Sequence, residues 1–74
     1  MLLAIDVGNT SIHSGIFDKK TLKKTFRIPA YSDRLDRIYE VKLKPYLKKI
    51  DSVIVASVVP LALKKVGKAI KKAI

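Results

Sequence analysis

An acidic residue followed by a short polar turn is the segment of this sequence best suited to chemistry. Asp6 lies near the end of the apolar run Leu2–Val7, and Gly8-Asn9-Thr10-Ser11 follows that run. Glycine lets a phosphate approach the main chain, successive N–H groups form an anion-binding nest, and polar side chains add donors. The carboxylate would repel a bare phosphate but suits one that carries Mg²⁺. The segment therefore predicts a phosphate-binding loop with Asp6 facing magnesium, built from Asp6, Gly8, Asn9, Thr10 and Ser11.

An ordinary hairpin is the other interpretation of the same residues. In that interpretation Gly8 and Asn9 are present because they tolerate positive φ in a turn, and Asp6 lies at the solvent-exposed end of its strand. Short motifs that contain glycine also occur by chance. The pattern by itself leaves both interpretations open.

Four strands are predicted to position this turn. Leu2–Val7 is the first, and alternating apolar and polar residues predict two more over Ile12–Phe17 and Leu22–Ile28, giving a hairpin plus third strand within residues 1–28. The β-branched run within residues 52–59 predicts a fourth strand that is buried on both faces.

Two helices are predicted from apolar stripes at spacings of three and four residues. The first covers residues 32–50, with Ser32 or Asp33 as its N-cap and a break that Pro45 causes near Val41 to Lys44. The second covers residues 60–74 and begins at Pro60. The first stripe comprises Leu35, Tyr39, Leu43, Tyr46, Leu47 and Ile50, and the second comprises Leu63, Val66, Ile70, Ala73 and Ile74.

The element order β-β-β-α-β-α predicts one α/β domain over residues 1–74, with a mixed sheet and two crossover helices. A strand–helix–strand unit makes a parallel crossover, so the fourth strand should lie beside the first and parallel to it. Both faces of the central strands are apolar. If both helices cover one face, the other is bare, and we expect a homo-oligomer to cover it.

The composition limits the kinds of site that the chain can build. It has 74 residues, no cysteine and a single histidine, His13, which excludes disulfides, thiolate metal sites and sites made of several histidines. The formal net charge of +10 predicts non-specific attraction to polyanions, although solubility alone would also explain it. The longest uncharged apolar run, Val53–Leu63, is too short to cross a bilayer. We therefore expect a cytoplasmic protein without a transmembrane segment.

Several segments resemble the amino-terminal part of type III pantothenate kinases. They are Leu3-Ala4-Ile5-Asp6-Val7-Gly8-Asn9-Thr10-Ser11-Ile12 with Gly15-Ile16-Phe17, then Phe26-Arg27-Ile28, and Val53-Ile54-Val55-Ala56-Ser57-Val58-Val59-Pro60. The resemblance covers nearly all of this chain but about the first third of a typical family member. Pro45 inside the helix and a short segment between Ile28 and Asp51 depart from the family pattern.

The resemblance implies part of a ribonuclease-H-like domain of the sugar kinase, heat-shock ATPase and actin superfamily. Such kinases transfer the γ-phosphate of ATP to pantothenate, the first step towards coenzyme A, with Mg·ATP and a monovalent cation, and generally as dimers. Asp6, Gly8, Asn9 and Thr10 match the first phosphate motif. The family's pantothenate-binding Gly-x-Asp-Arg segment, second phosphate motif and adenosine pocket would lie after Ile74. We therefore expect no catalytic residue in this chain, no pantothenate kinase activity from it alone, and at most weak binding of Mg·ATP or phosphate.

Other functions remain open from the sequence. A reduced or engineered oligomeric scaffold would have the same residues. A nucleic-acid-binding or membrane-binding module would use the lysines of the last helix, although these are also explained as a solvated surface. A ribonuclease-H-like nuclease would need several converging carboxylates, and Ser57 stands where one would help. The lysines in question are Lys64, Lys65, Lys68, Lys71 and Lys72.

Overall fold

The computed structural model describes residues 1–57 and 60–73, which form a four-stranded mixed sheet and two α-helices. The strand order is β3-β2-β1-β4; β1 runs antiparallel to β2, β2 antiparallel to β3, and β1 parallel to β4. The predicted element order and the parallel pairing of the first and fourth strands are confirmed. The elements are β1 (Leu2–Val7), β2 (Ser11–Asp18), β3 (Thr21–Pro29), α1 (Leu35–Leu43), β4 (Ser52–Ser57) and α2 (Pro60–Ala73).

Both helices pack on one face of the sheet, which we call the covered face. Alternate residues of β1 and β2 point to it, because successive side chains of a strand lie on opposite sides. Buried residues of α1 and α2 complete the core there. The fully or nearly buried side chains are Leu3, Ile5, Val7, Ile12, Ser14, Ile16, Ile28, Leu35, Tyr39, Leu43, Val66, Ala69 and Ile70.

Among the described residues, one hydrogen bond between side chains lies inside this core. The hydroxyl groups of Ser14 and Tyr39 are 2.9 Å apart, and the ring of Phe26 packs edge-on against that of Tyr39 at 5.7 Å between centroids. Burial raises the pKa of the Tyr39 phenol, and the hydrogen bond with Ser14 opposes that shift. Tyr39 is fully buried at the centre of this core, whereas Tyr31 is 81% exposed.

The first helix is shorter than the predicted residues 32–50. It begins at Leu35 after Arg34, and no side chain caps it: the Ser32 hydroxyl donates to the Pro29 carbonyl oxygen at 2.8 Å instead. The predicted break is confirmed, because the α-helix ends at Leu43 and a 3-10 turn, Lys44–Tyr46, contains the proline. The apolar stripe nevertheless packs against the core along its whole length.

Part of the predicted burial in the carboxyl-terminal half is wrong. None of the residues of β4 is buried, and Ile54 is 59% exposed, because β4 is an edge strand and the helices lie on one of its faces. In α2, Leu63 is 43% exposed, while Ala69, which the predicted stripe omitted, is buried. The predicted positions Val58, Val59 and Ile74 lie outside the described residues.

Within residues 1–57 and 60–73, no helix covers the opposite face of the sheet, which is the outcome expected if both helices lie on one face; we call it the open face. It forms a concave depression of about 510 Å³. Cross-strand pairing orders its residues into three rows. In the strand order β4, β1, β2, β3, the polar row is Ala56, Asp6, His13 and Arg27, the middle row is Ile54, Ala4, Gly15 and Thr25, and the apolar row is Ser52, Leu2, Phe17 and Leu22.

Candidate functional site

The candidate phosphate loop lies where β1 ends, at one edge of the open face. Asp6, the penultimate residue of β1, is exposed and lies between Ala56 of β4 and His13 of β2. Within residues 1–57 and 60–73, its carboxylate makes no hydrogen bond or ion pair. It is therefore available to an external cation.

The turn that follows is held at both ends and leaves two amides unused. The Gly8 amide donates to the Ser11 carbonyl oxygen at 2.9 Å, and the Ala30 amide donates to the Thr10 carbonyl oxygen at 3.0 Å. The second bond attaches the tip of the hairpin to the end of β3. Asn9 and Thr10 are exposed, and their backbone amides donate no hydrogen bond to the part of the chain that the structure describes. Two N–H groups at a fixed turn are the minimum of an anion-binding nest.

The reason for glycine at position 8 differs from the sequence-based expectation. Among the described residues no glycine has a positive φ, and the single non-glycine residue that has one is Lys19, at 58°, in the turn between β2 and β3. A Cβ atom at Gly8 would instead lie 3.2 Å from the Ser11 carbonyl oxygen. Gly8 thus suits the close approach of the two sides of the turn, and neither Gly8 nor Asn9 adopts the positive φ that both residues tolerate.

Ser11 is less available than its neighbours. Its hydroxyl oxygen lies 3.2 Å from Nε2 of His13, so the serine already has a side-chain partner. The structure therefore brings Asp6, Gly8, Asn9 and Thr10 together at one edge with free carboxylate and amide groups, and places Ser11 beside them in a hydrogen bond.

Two residues of the polar row were missed from the sequence as parts of this site. His13 is exposed and lies between Asp6 and Arg27, both of which are exposed on neighbouring strands. Alternation placed His13 on the same face as Asp6 and was the available signal. Arg27 had no such signal, because its position depends on the register between β2 and β3.

The carboxylates of the described residues do not converge on a metal site. No group of three or more histidine, cysteine, aspartate or glutamate side chains lies close enough to hold an ion in residues 1–57 and 60–73. Asp6 fits magnesium only as a single protein ligand whose partners come from a nucleotide, which is how Mg²⁺ is commonly bound. A two-metal nuclease site has no support among these residues.

The lysines of α2 lie partly beside acidic residues. Lys65, Lys68 and Lys72 line a groove together with Asp33 and Asp36, next to the beginning of α1. The positive charge of these three lysines is therefore partly offset by the two carboxylates. No helix in the described residues is long and apolar enough to cross a membrane.

Comparison with known proteins identifies one family. The family model described as type III pantothenate kinase matches residues 2–74. The chain is 39% identical to the type III pantothenate kinase of Agathobacter rectalis over 81% of its own length and 26% of that protein. It is 36% identical to the enzyme of Thermus thermophilus and 35% identical to that of Syntrophotalea carbinolica, in both cases over 97% of its own length and 31% of theirs. The chain thus spans less than a third of these relatives.

Proposed function

Because the chain belongs to the type III pantothenate kinase family, we propose that it supplies the first phosphate-binding loop of that family's ATP site. In this proposal Asp6, Gly8, Asn9, Thr10 and Ser11 bind the phosphate tail of Mg·ATP. The family's reaction is the ATP-dependent phosphorylation of pantothenate in coenzyme A biosynthesis. We also propose that the element order and mixed sheet are part of a ribonuclease-H-like, actin-like ATPase domain, and that the protein acts in the cytoplasm.

The observation that carries this proposal is the pair of unused amides beside an exposed carboxylate. The amides of Asn9 and Thr10 would donate to phosphate oxygens, and Asp6 would bind Mg²⁺ directly or through water. The bound magnesium would neutralise phosphate charge and so remove the repulsion between Asp6 and the nucleotide. Gly8 keeps the turn narrow, and the bond from Ala30 to Thr10 holds its tip in place.

The loop alone is expected to bind weakly and to catalyse nothing. Phosphoryl transfer depends on holding both substrates and on stabilising charge from several sides. The open face offers one carboxylate and two amides at its edge, and the exposed acids elsewhere, such as Asp18 and Glu40, lie away from this loop. So few contacts correspond to a dissociation constant in about the millimolar range.

Titration with Mg·ATP, followed through amide NMR peaks, tests the loop directly. We expect the peaks of Gly8 to Ser11 to shift, and ATP without magnesium to shift them less. Asp6→Asn should abolish the magnesium-dependent part of the shift. The matched control is Asp18→Asn, because Asp18 is an exposed acid at the end of β2 next to the other β-turn.

The outcomes separate the proposal from its alternatives. Unmoved loop peaks would contradict the proposal. Equal shifts at the lysines of α2 and at the loop, lost at high salt, would instead indicate non-specific polyanion binding from the net charge of +10. Phosphorylation of pantothenate above the blank in a radiolabelled-ATP assay would overturn the expectation that this chain alone is inactive.

A second candidate function is an oligomeric scaffold, and the open face favours it. That face exposes apolar side chains of β3 and β4, with Leu22 at 50% and Ile54 at 59% exposure. Exposed apolar surface of this kind is typical of association sites. A homo-oligomer through the open face is part of this candidate. Concentration-dependent light scattering would detect it, and a monomer at every concentration would contradict it.

A further inference from the structure

The proposed phosphate loop contains an acid but no basic side chain. Asp6 to Ser11 contribute one carboxylate, together with amides and hydroxyl groups. A terminal phosphate group carries between about −1.5 and about −2 charges at neutral pH, and the Mg²⁺ ion that it shares with the next phosphate offsets only part of the charge of the tail. Because Asp6 also draws on the magnesium charge, the bound tail would still require a cation close to the loop.

Arg27 is the single arginine or lysine in the three rows of the open face. It lines the same depression as Asp6 and His13. Its side chain is exposed, and within residues 1–57 and 60–73 its guanidinium makes no hydrogen bond or ion pair. The cation that the loop lacks is therefore present on the face to which Asp6 also belongs.

The position of Arg27 relative to the loop is fixed by β3. Shortly after Arg27, the Ala30 amide donates to the Thr10 carbonyl oxygen at 3.0 Å and so attaches β3 to the tip of the turn. Arg27 pairs with His13, which in turn pairs with Asp6, so two strand spacings of about 4.8 Å separate Arg27 from Asp6. An extended arginine side chain is long enough to cross β2 towards a phosphate that magnesium holds at Asp6.

The residues between Asp6 and Arg27 leave room for such a group. His13 lies between them in the polar row, but its Nε2 is 3.2 Å from Oγ of Ser11, so the ring is turned towards the loop. On the other side of His13 along the same face of β2, Gly15 has no side chain. The depression at this end is therefore shallowly filled and is bordered by a carboxylate, an imidazole and a guanidinium.

We propose that Arg27 is a further residue of the nucleotide site and binds the terminal phosphate of Mg·ATP. This role rests on the proposed phosphate loop and extends that site to β3. The guanidinium fork donates two parallel N–H bonds to phosphate oxygens, which makes the contact strong and directional. The terminal phosphate is the most charged group of the tail, whereas the nucleoside end is uncharged. A diphosphate that occupies the loop amides ends before Arg27, so Arg27 favours triphosphates.

Titrations with Mg·ATP and with Mg·ADP, followed through the amide NMR peaks of Gly8 to Ser11, test this role. Arg27→Ala should weaken the binding of Mg·ATP about fivefold or more and that of Mg·ADP less than about twofold, because only the triphosphate reaches Arg27. Arg27→Lys should recover part of the loss, since lysine keeps the charge but lacks the fork. With a wild-type dissociation constant of about 1 mM, nucleotide concentrations up to about 30 mM cover these changes.

A matched control separates a direct contact from the effect of net charge. Arg37→Ala removes an exposed arginine from α1, outside the three rows, and should leave both dissociation constants within about twofold at about 0.15 M salt. The side-chain Nε–H peak of Arg27, identified by its absence in Arg27→Ala, should shift with Mg·ATP and not with Mg·ADP. Circular dichroism of each variant checks that the sheet and helices remain.

The possible failures are distinguishable. Unmoved loop peaks in the wild type would reject the phosphate loop and the role of Arg27 together. Loop peaks that shift in the wild type, with equal affinity for Mg·ATP in Arg27→Ala, would reject Arg27 and leave the loop intact. Equal weakening of Mg·ATP and Mg·ADP in Arg27→Ala, or a comparable loss in Arg37→Ala, would overturn the assignment of Arg27 to the terminal phosphate.

Discussion

The covered face and the open face of the sheet use the same strands in opposite ways. On the covered face Leu3, Ile5 and Val7 of β1 are at most 2% exposed and belong to one core cluster with buried residues of both helices. On the open face of the same strand, Asp6 is exposed and Leu2 and Ala4 are partly exposed. The covered face therefore contributes the stability of this small domain, and the open face carries what remains available for binding.

The covered face and the open face also differ in whether their polar groups have partners. The covered face contains one buried polar side chain, Ser14, among the described residues, and it is paired with Tyr39. The open face has its polar row at one edge, where Asp6 and Arg27 have no partner in the described residues that would hold them. Satisfied polar groups specify packing, whereas exposed unpaired groups are free to bind a ligand.

Matched leucine replacements test this contrast with the largest expected effect. Leu3→Ala removes a fully buried side chain and should lower the free energy of unfolding by about 3 kcal/mol. Leu22→Ala removes a half-exposed side chain from the open face and should cost less than about 1 kcal/mol. Urea denaturation at low protein concentration, where a dimer does not contribute, measures both. Equal losses would mean that the open face contributes to the core of the monomer.

The Ser14–Tyr39 hydrogen bond should give the next largest effect. Tyr39→Phe and Ser14→Ala should each lower the free energy of unfolding by about 1 to 2 kcal/mol, since each leaves a buried hydroxyl or its site without a partner. The double variant should lose about 1 kcal/mol less than the sum of the two. Additive losses in this double-mutant cycle would show that the two hydroxyl groups do not interact.

The pH dependence of stability should show the smallest effect, and Tyr39 determines its sign. Burial raises the pKa of this phenol above its ordinary value of 10.0. The folded state therefore favours the neutral form, so the contribution to stability is complete below about pH 10 and is lost as the pH rises through the raised pKa. The difference in melting temperature between the wild type and Tyr39→Phe should shrink from about pH 9 to about pH 11. The other tyrosines and the lysines are common to both proteins, so a constant difference would contradict this assignment.

Much of the fold was predictable because local patterns and tertiary packing agree. Alternation in β1 and β2 predicted which residues share a face, and Pro45 predicted where α1 ends, since proline disrupts a helix wherever it packs. The beginning of α1 was not predictable in the same way. Ser32 and Asp33 are both good N-cap residues, but Ser32 closes a local turn onto Pro29, and the helix starts later.

The candidate site was likewise predictable only in part from the sequence. The residue types at Asp6 and Gly8 to Ser11 predicted a phosphate loop, and in the structure the carboxylate is exposed and two of the amides are unused. The bond from Ser11 to His13 and the alignment of Asp6 with Arg27 were not predictable, because they depend on strand register and side-chain rotamers. Whether the loop binds Mg·ATP remains a prediction.

The sequence by itself determined the elements, their order and the family, because these follow from short-range periodicity and from a motif of adjacent residues. Only the tertiary structure decided which apolar surfaces are covered. The β-branched residues of β4 carry a pattern typical of complete burial, yet Val53 and Ile54 are 39% and 59% exposed. The apolar pattern of a strand indicates how much burial would be favourable, but burial requires other elements to pack against the strand. Among the described residues, β4 has β1 at one edge and the helices on one face, so its other edge and face stay exposed.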